Sequence, residues 1–281
     1  MWISAKPPFV YFHRCATLHL EQHLPVSQHT YFISDVHLGA PSVADSQARE
    51  RRLVAFLLDI QAHCKTLYIV GDLFDYWFEY KRVVPRGHTR LLGTLASMVD
   101  QGLELHIFTG NHDLWMADYL EEELGAKVHH KPLKLELDGT RFYVAHGDGL
   151  GPGDLKYKVL KKVFTNPLCK WLYNRLHPNF GVGFAARMSR MSRESQSDDD
   201  HAFLGENERQ LQHSKTVLET EDIEYFIYGH RHHLKDLPLE HMRKNGTKVA
   251  SRYVVLGDWI SLDSYAMWDG KKLTTATYKQ P

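Results

Sequence analysis

The sequence predicts an α/β fold on a mixed β-sheet. Three observations carry this. Short runs rich in β-branched and aromatic residues alternate with stretches of helical apolar periodicity. Several of those runs are almost continuously apolar, as in strands covered on both faces. Two runs, 131–138 and 141–145, meet at Asp138-Gly139, a turn pair that favours a hairpin and so an antiparallel element beside parallel ones.

The elements follow in order. The first strand run is 30–34, and the helical pattern over 49–63 places Leu53, Phe56, Leu57 and Ile60 on one face. A second strand run covers 66–70. A second helical pattern, over 90–100, places Leu91, Leu95 and Met98 together. Strand runs at 103–108, 131–138, 141–145, 225–228 and 253–256 complete the set. Between 145 and 225 strand signal is sparse and helix signal strong, which predicts a helical insertion over about 150–222. Residues 155–193 hold nine Lys or Arg and no Asp or Glu, with Phe164, Trp171, Tyr173, Phe180 and Phe184 interleaved. Asp198-Asp199-Asp200 reads as an acidic turn before a further helix over about 202–219. Residues 1–29 form an N-terminal extension, and residues 30–281 form one domain.

Composition narrows the function classes. A formal net charge of +0 argues against a dedicated nucleic-acid binder. The 3 cysteines, Cys15, Cys64 and Cys169, are far apart and form no CxxC pair. That fits a reducing compartment and excludes both a disulfide framework and a cysteine-rich zinc site. No apolar run reaches the length of a membrane span, and residues 1–29 do not read as a signal peptide, so the expected location is cytoplasmic.

Chemistry is concentrated in five short blocks, each directly after a strand run: Asp35-Val36-His37, Gly71-Asp72-Leu73-Phe74-Asp75, Gly110-Asn111-His112-Asp113, His146-Gly147-Asp148 and Gly229-His230-Arg231-His232. Strand ends in α/β sheets gather at one rim, where ligand sites form, so the five blocks can converge. Residues two apart on an extended segment point the same way, which pairs Asp35 with His37 and His230 with His232. Together the blocks offer carboxylate, amide and imidazole donors without sulfur. That is a donor set for two divalent ions, manganese first, with iron or zinc as alternatives. Asp72 is the natural shared carboxylate, and Asn111 adds a neutral carbonyl oxygen. Few carboxylates against two dications leave the site positive, which suits an anionic phosphoester. His112 is the expected transition-state group, through a hydrogen bond to a phosphoryl oxygen or protonation of the leaving group. Asp75, Asp113 and Asp148 are expected to orient imidazoles from behind.

Taken in order, these blocks resemble the signature of the calcineurin-like metallophosphoesterase family, D-x-H, G-D-x-x-D, G-N-H-D, H-G-D and G-H-x-H, over residues 30–258. The resemblance implies a four-layer sandwich, two mixed β-sheets flanked by helices. It also implies that Asp35, His37, Asp72 and His232 hold one metal, and that Asp72, Asn111, His146 and His230 hold the other. Leu67–Phe74 with Trp77, Ala185-Ala186-Arg187-Met188, Ser192-Arg193-Glu194 and Val255-Leu256-Gly257-Asp258-Trp259 look like the branch that cleaves UDP-2,3-diacylglucosamine in lipid A synthesis. That branch typically uses manganese at the inner face of the inner membrane and yields UMP and 2,3-diacylglucosamine 1-phosphate. Asp154 resembles its nucleotide-contacting acid. One departure is His112, where the best-known members carry arginine.

The insertion fits such a substrate. Helices around Val159, Leu160, Val163, Phe164, Trp171 and Leu172 would make a groove for acyl chains. Lys158, Lys162, Arg187 and Arg193, with Ser192, would meet the pyrophosphate and an anionic membrane surface. The expected partner is therefore a nucleotide-activated glycolipid at a membrane face. The alternative is a general metallophosphoesterase acting on nucleotides or other phosphodiesters. A non-catalytic scaffold on the same fold would be expected to have lost ligands, and here every one is present.

Overall fold

The computed structural model describes residues 28–195 and 203–280. The N-terminal extension up to residue 27 and the acidic turn Asp198-Asp199-Asp200 lie outside the described residues.

Two mixed sheets pack face to face. The first has the order β11-β10-β1-β2-β3-β4, where β1 is His29–Ile33, β2 Cys64–Val70, β3 Glu104–Phe108, β4 Lys127–His129, β10 Ser264–Trp268 and β11 Leu273–Thr277. Strands β1 to β4 run parallel, while β10 is antiparallel to both β1 and β11. The second has the order β5-β6-β7-β9-β8, where β5 is Leu133–Leu137, β6 Thr140–Ala145, β7 Tyr225–Tyr228, β8 Leu234–Met242 and β9 Lys248–Leu256. Here β6, β7 and β9 are parallel, and β5 and β8 are antiparallel edges.

The alternation of side chains along each strand explains the layering. On β2, Leu67 and Ile69 join the core beneath the helices, while Tyr68 and Val70 face the other sheet. On β6, Phe142 and Val144 enter the core between the sheets, while Tyr143 and Ala145 face outward to a helix. Phe32 stacks on Tyr68 with ring centroids 5.0 Å apart and reaches across to Phe142 at 6.1 Å. Helices α1 (Val43–Ile60), α2 (Thr89–Asp100) and the short α3 (Tyr119–Leu124) cover the first sheet. The result is the four-layer sandwich.

The insertion holds α4 (Leu155–Thr165), α5 (Pro167–Tyr173) and α6 (Pro178–Ser195). It is pinned to the sandwich by aromatic contacts. The Trp115 indole N–H donates to the Phe164 carbonyl at 2.7 Å, and Tyr173 packs on Phe78 and Trp115 with centroids 4.7 Å apart in each case. After the 3₁₀ turn Gly205–Asn207 comes α7 (Arg209–Leu218), whose Leu211 and Leu218 enter the core beside Tyr143 and Phe226. Thus α7 covers the second sheet. Among the described residues no helix is long and apolar enough to cross a membrane.

Three differences from the sequence expectations have physical causes. Helix α1 begins at Val43 and ends at Ile60, against an expected 49–63. Ser42 caps it by accepting from the Asp45 amide, and its first half buries Ser46, Arg49 and Glu50 instead of an apolar stripe. Strands β4, β8, β10 and β11 were not expected. Three of them are sheet edges, where one side stays polar and apolar runs are short, and β8 even carries Pro238, which only an edge tolerates. The helix expected over about 202–219 is shortened to Arg209–Leu218.

Candidate metal centre

All five blocks meet at one rim, fed by β1, β2 and β3 from one sheet and β6 and β7 from the other. The backbone turns sharply there. Asp35, His37, Asp72, His230 and His232 adopt left-handed φ values of 55, 48, 50, 71 and 49°. Such values are uncommon outside glycine and asparagine-like residues, and their concentration at one spot marks strain held at a functional site. The blocks are stitched together by backbone bonds. The amides of Val36 and His37 both donate to the Asp72 carbonyl at 2.9 Å, and the Gly229 amide donates to that of His146 at 3.0 Å. Glycines permit this crowding. A Cβ on Gly71, itself at φ +87°, would come within 2.4 Å of His146 Nδ1, and one on Gly110 within 2.1 Å of Asp72 Oδ1.

Asp72 sits in the middle. Its Oδ2 lies 3.4 Å from His146 Nε2 and 3.5 Å from His37 Nε2, and its Oδ1 accepts from the His112 amide at 2.9 Å. On one side, His37 Nε2 and His232 Nε2 are 3.2 Å apart, and Asp35 Oδ1 lies 3.2 Å from His232 Nε2. On the other, His146 Nε2 lies 3.1 Å from Asn111 Oδ1, with the His230 ring 5.2 Å away. The donor atoms fall into clusters: Asp35, His37 and His232; Asp72, His146 and His230; and His112 with His37 and Asp72.

This donor set fits divalent cations. Asp35 is fully buried, and its Oδ1 faces the imidazole nitrogens of His232 at 3.2 Å and His37 at 3.8 Å, as donors gathered round one cation would. The Val70 carbonyl accepts from His146 Nδ1 at 2.9 Å, which turns Nε2 toward Asn111 and Asp72. Burial alone would keep these imidazoles neutral. The opposing charge of Asp72, helped by Asp35, instead pushes both His37 and His146 up to about 10. Burial disfavours charge on Asp72 and Asp35 as well, yet the surrounding imidazoles hold both well below the usual carboxylate range. The carboxylates demand cations. Protons on His37 and His146 answer that demand in one state, and divalent ions would answer it in the other.

A second tier backs the donors. Asp75 Oδ1 lies 3.7 Å from His37 Nδ1 and 3.5 Å from His112 Nδ1, as expected of a carboxylate that orients rings. Asp113 does something else: it accepts the Gly110 amide at 2.7 Å and the Phe74 amide at 3.2 Å, shaping the loops instead of holding an imidazole. Asp148 is held by the Tyr157 hydroxyl and by the Lys161 ammonium at 2.6 Å. Asp258, outside the five blocks, sits 3.7 Å from His232 Nδ1. It follows β9 in a Gly257-Asp258 pair, the same strand-end signal that marks Asp72.

The centre opens into a cleft of about 780 Å³. His37, Asp72, Asn111, His112, His230 and His232 line it, while the buried Asp35 and His146 are outside the lining and touch the same donors, at His232 and Asp72. Asp154 also lines the cleft and accepts from Arg209 at 2.8 Å. Arg49, Tyr157, Arg209 and Arg231 line it too and were not foreseen. Three expected substrate contacts are elsewhere: Lys158 donates to the Gly151 carbonyl at 2.6 Å, and Lys162 and Arg187 are exposed on α4 and α6, none of them in the lining. Ser192 and Arg193 lie on α6, and their side chains fall outside the described part of the structure.

The family described as calcineurin-like phosphoesterase matches residues 29–234. Among curated proteins, the chain is 41% identical over 256 residues to a UDP-2,3-diacylglucosamine hydrolase of Porphyromonas gingivalis, covering 86% of this chain and 95% of that protein. Proteins of the same name from Nitrosococcus oceani and Yersinia pestis are 26% and 28% identical. Each match covers 82% of this chain, and 87% and 90% of those proteins respectively.

Proposed function

The chain belongs to the calcineurin-like phosphoesterase family of metal-dependent hydrolases, and from that premise we propose that it cleaves the pyrophosphate of UDP-2,3-diacylglucosamine, giving UMP and 2,3-diacylglucosamine 1-phosphate. In this reading Asp35, His37, Asp72 and His232 hold one divalent ion, and Asp72, Asn111, His146 and His230 the other, manganese being preferred. Bound there, such ions supply Lewis acidity toward phosphoryl oxygens and a water acidic enough to attack at neutral pH.

The chain's own groups do the rest. Asn111 adds a neutral oxygen donor, which keeps the centre positive toward an anionic substrate. His112 lines the cleft with Nδ1 3.3 Å from the Asp75 carbonyl, so its Nε2 side serves the substrate. Burial lowers its pKa, which favours the neutral ring; with Nδ1–H turned to the Asp75 carbonyl, Nε2 presents a lone pair to the cleft, able to take up a proton and pass it on to a leaving phosphate. Asp154 and Arg209, joined by their ion pair, border the same cleft and suit the polar nucleotide end.

The observation that carries the substrate reading is the insertion beside this cleft. Leu155, Val159 and Val163 stand one helical turn apart on α4 and are 74, 53 and 47% exposed, with Trp171, Phe180 and Phe184 at least half exposed nearby. An apolar surface of this kind marks a lipid or partner site. Interleaved lysines and arginines suit an anionic membrane face on the cytoplasmic side, reached peripherally. The relatives' name supplies the matching headgroup. The test is to add manganese, magnesium or zinc to metal-free protein with UDP-2,3-diacylglucosamine and follow UMP. Manganese-dependent release is expected. No release, with activity on a small phosphodiester, would keep the metal chemistry and discard the glycolipid.

A further inference from the structure

The loop from Asp35 to Ala40 carries two donors, Asp35 and His37, both at left-handed φ, and it lies outside any strand. One side chain in the cleft wall holds it. Arg49, on the second turn of α1, is 4% exposed, and its Nη1 donates to the carbonyls of Val36 at 3.0 Å, His37 at 2.9 Å and Ala40 at 3.1 Å. A single guanidinium nitrogen thus gathers three carbonyls of one turn with charge-assisted bonds. Ser46, one turn earlier on the same helix face, accepts the Gly39 amide at 2.7 Å. The other half of the centre has further anchors of its own, β2, β3 and the Val70 carbonyl that orients His146, besides its links to this loop through the Asp72 carbonyl and the His230 amide, which donates to Asp35 Oδ2 at 2.8 Å.

We propose that Arg49 is the positioning residue for the Asp35, His37 and His232 half of the centre: it fixes the turn that aims the first two donors, while the Asp72, Asn111, His146 and His230 half keeps further supports of its own. This rests on the two-ion reading above. A neutral side chain in its place would free the three carbonyls, let the strained turn relax and weaken one ion site in preference to the other.

The test counts metal. Metal-free protein is titrated with Mn²⁺ by calorimetry, ions per chain are measured after gel filtration, and thermal unfolding is followed in parallel. Wild type should bind two ions. Arg49→Met should weaken one binding step roughly 10–100-fold, as loss of a ligand's supporting contact does, and the other by clearly less. Arg49→Lys should recover part of the loss. Arg51→Met is the control: Arg51 is exposed on the same helix, and its loss should leave both steps intact. Two wild-type-like steps in Arg49→Met, or equal weakening of both, would overturn the proposal. Should Arg49→Met fail to fold, Arg49→Lys is read by the same comparison. A wild type that binds fewer than two ions would instead sink the two-ion reading.

Discussion

His37 and His146 are pulled two ways, by burial that disfavours a charged ring and by Asp72, whose charge demands one. The carboxylate wins, and both rise from 6.5 to about 10. His230 shows the reverse: burial, joined by repulsion from His146, pushes it down to about 4. At neutral pH the metal-free centre therefore carries protons on His37 and His146 and none on His230. A ligating imidazole must be neutral, so metal binding expels those protons. Calorimetry at pH 7.5 in buffers of different ionisation enthalpy should register release of about two protons per chain. Because the raised groups stay protonated until pH passes about 10, apparent affinity should climb with pH up to that point; a flat profile would contradict this. His112 belongs at this scale too. His112→Ala should keep its metal content while turnover falls roughly 10²–10⁴-fold, the range of a lost acid–base group. If metal is lost instead, the third donor cluster, His112 with His37 and Asp72, is a binding site.

Helix α4 is the element on which the substrate reading turns. Leu155, Val159 and Val163 face outward, so replacing all three by Ser should move stability by only about 0.5 kcal/mol per site, the usual range for exposed positions. The triple variant should hydrolyse a small chromogenic phosphodiester like wild type and lose at least about tenfold in kcat/KM on the glycolipid, since each buried methylene is worth about 0.8 kcal/mol. Equal loss on both substrates would make the insertion structural. Elements also show what sequence reveals. The central strands β1, β2, β6, β7 and β9 were legible because both faces are covered, which forces nearly continuous apolar runs through Phe32, Ile69, Val144, Ile227 and Val254. Edge strands β4, β8 and β11 keep one side in solvent and left no such run. The first half of α1 was invisible for another reason: Ser46, Arg49 and Glu50 are buried for what they hydrogen-bond, which apolar periodicity does not register. Asp258 was in plain view, since Gly257-Asp258 repeats the strand-end pattern of Gly71-Asp72, but it lies outside the five blocks.

At the scale of the molecule, the centre exists because two sheets end at one rim and glycines let their loops touch. Every donor read from the sequence arrives there, because strand order fixes where each block emerges. Contacts set by loop and helix packing, such as Arg49 on the first loop or Arg209 on Asp154, required the folded chain. Asp72 stands between the two donor groups, within 3.5 Å of His37 on one side and 3.4 Å of His146 on the other. The most direct measurement is to count ions and turnover in metal-reconstituted wild type and Asp72→Asn side by side. Two ions per chain in wild type, at most one in the variant, and turnover down at least about 10³-fold are expected, since a metal Lewis acid supplies several kcal/mol. Two ions and wild-type turnover in Asp72→Asn would contradict a centre built around this carboxylate.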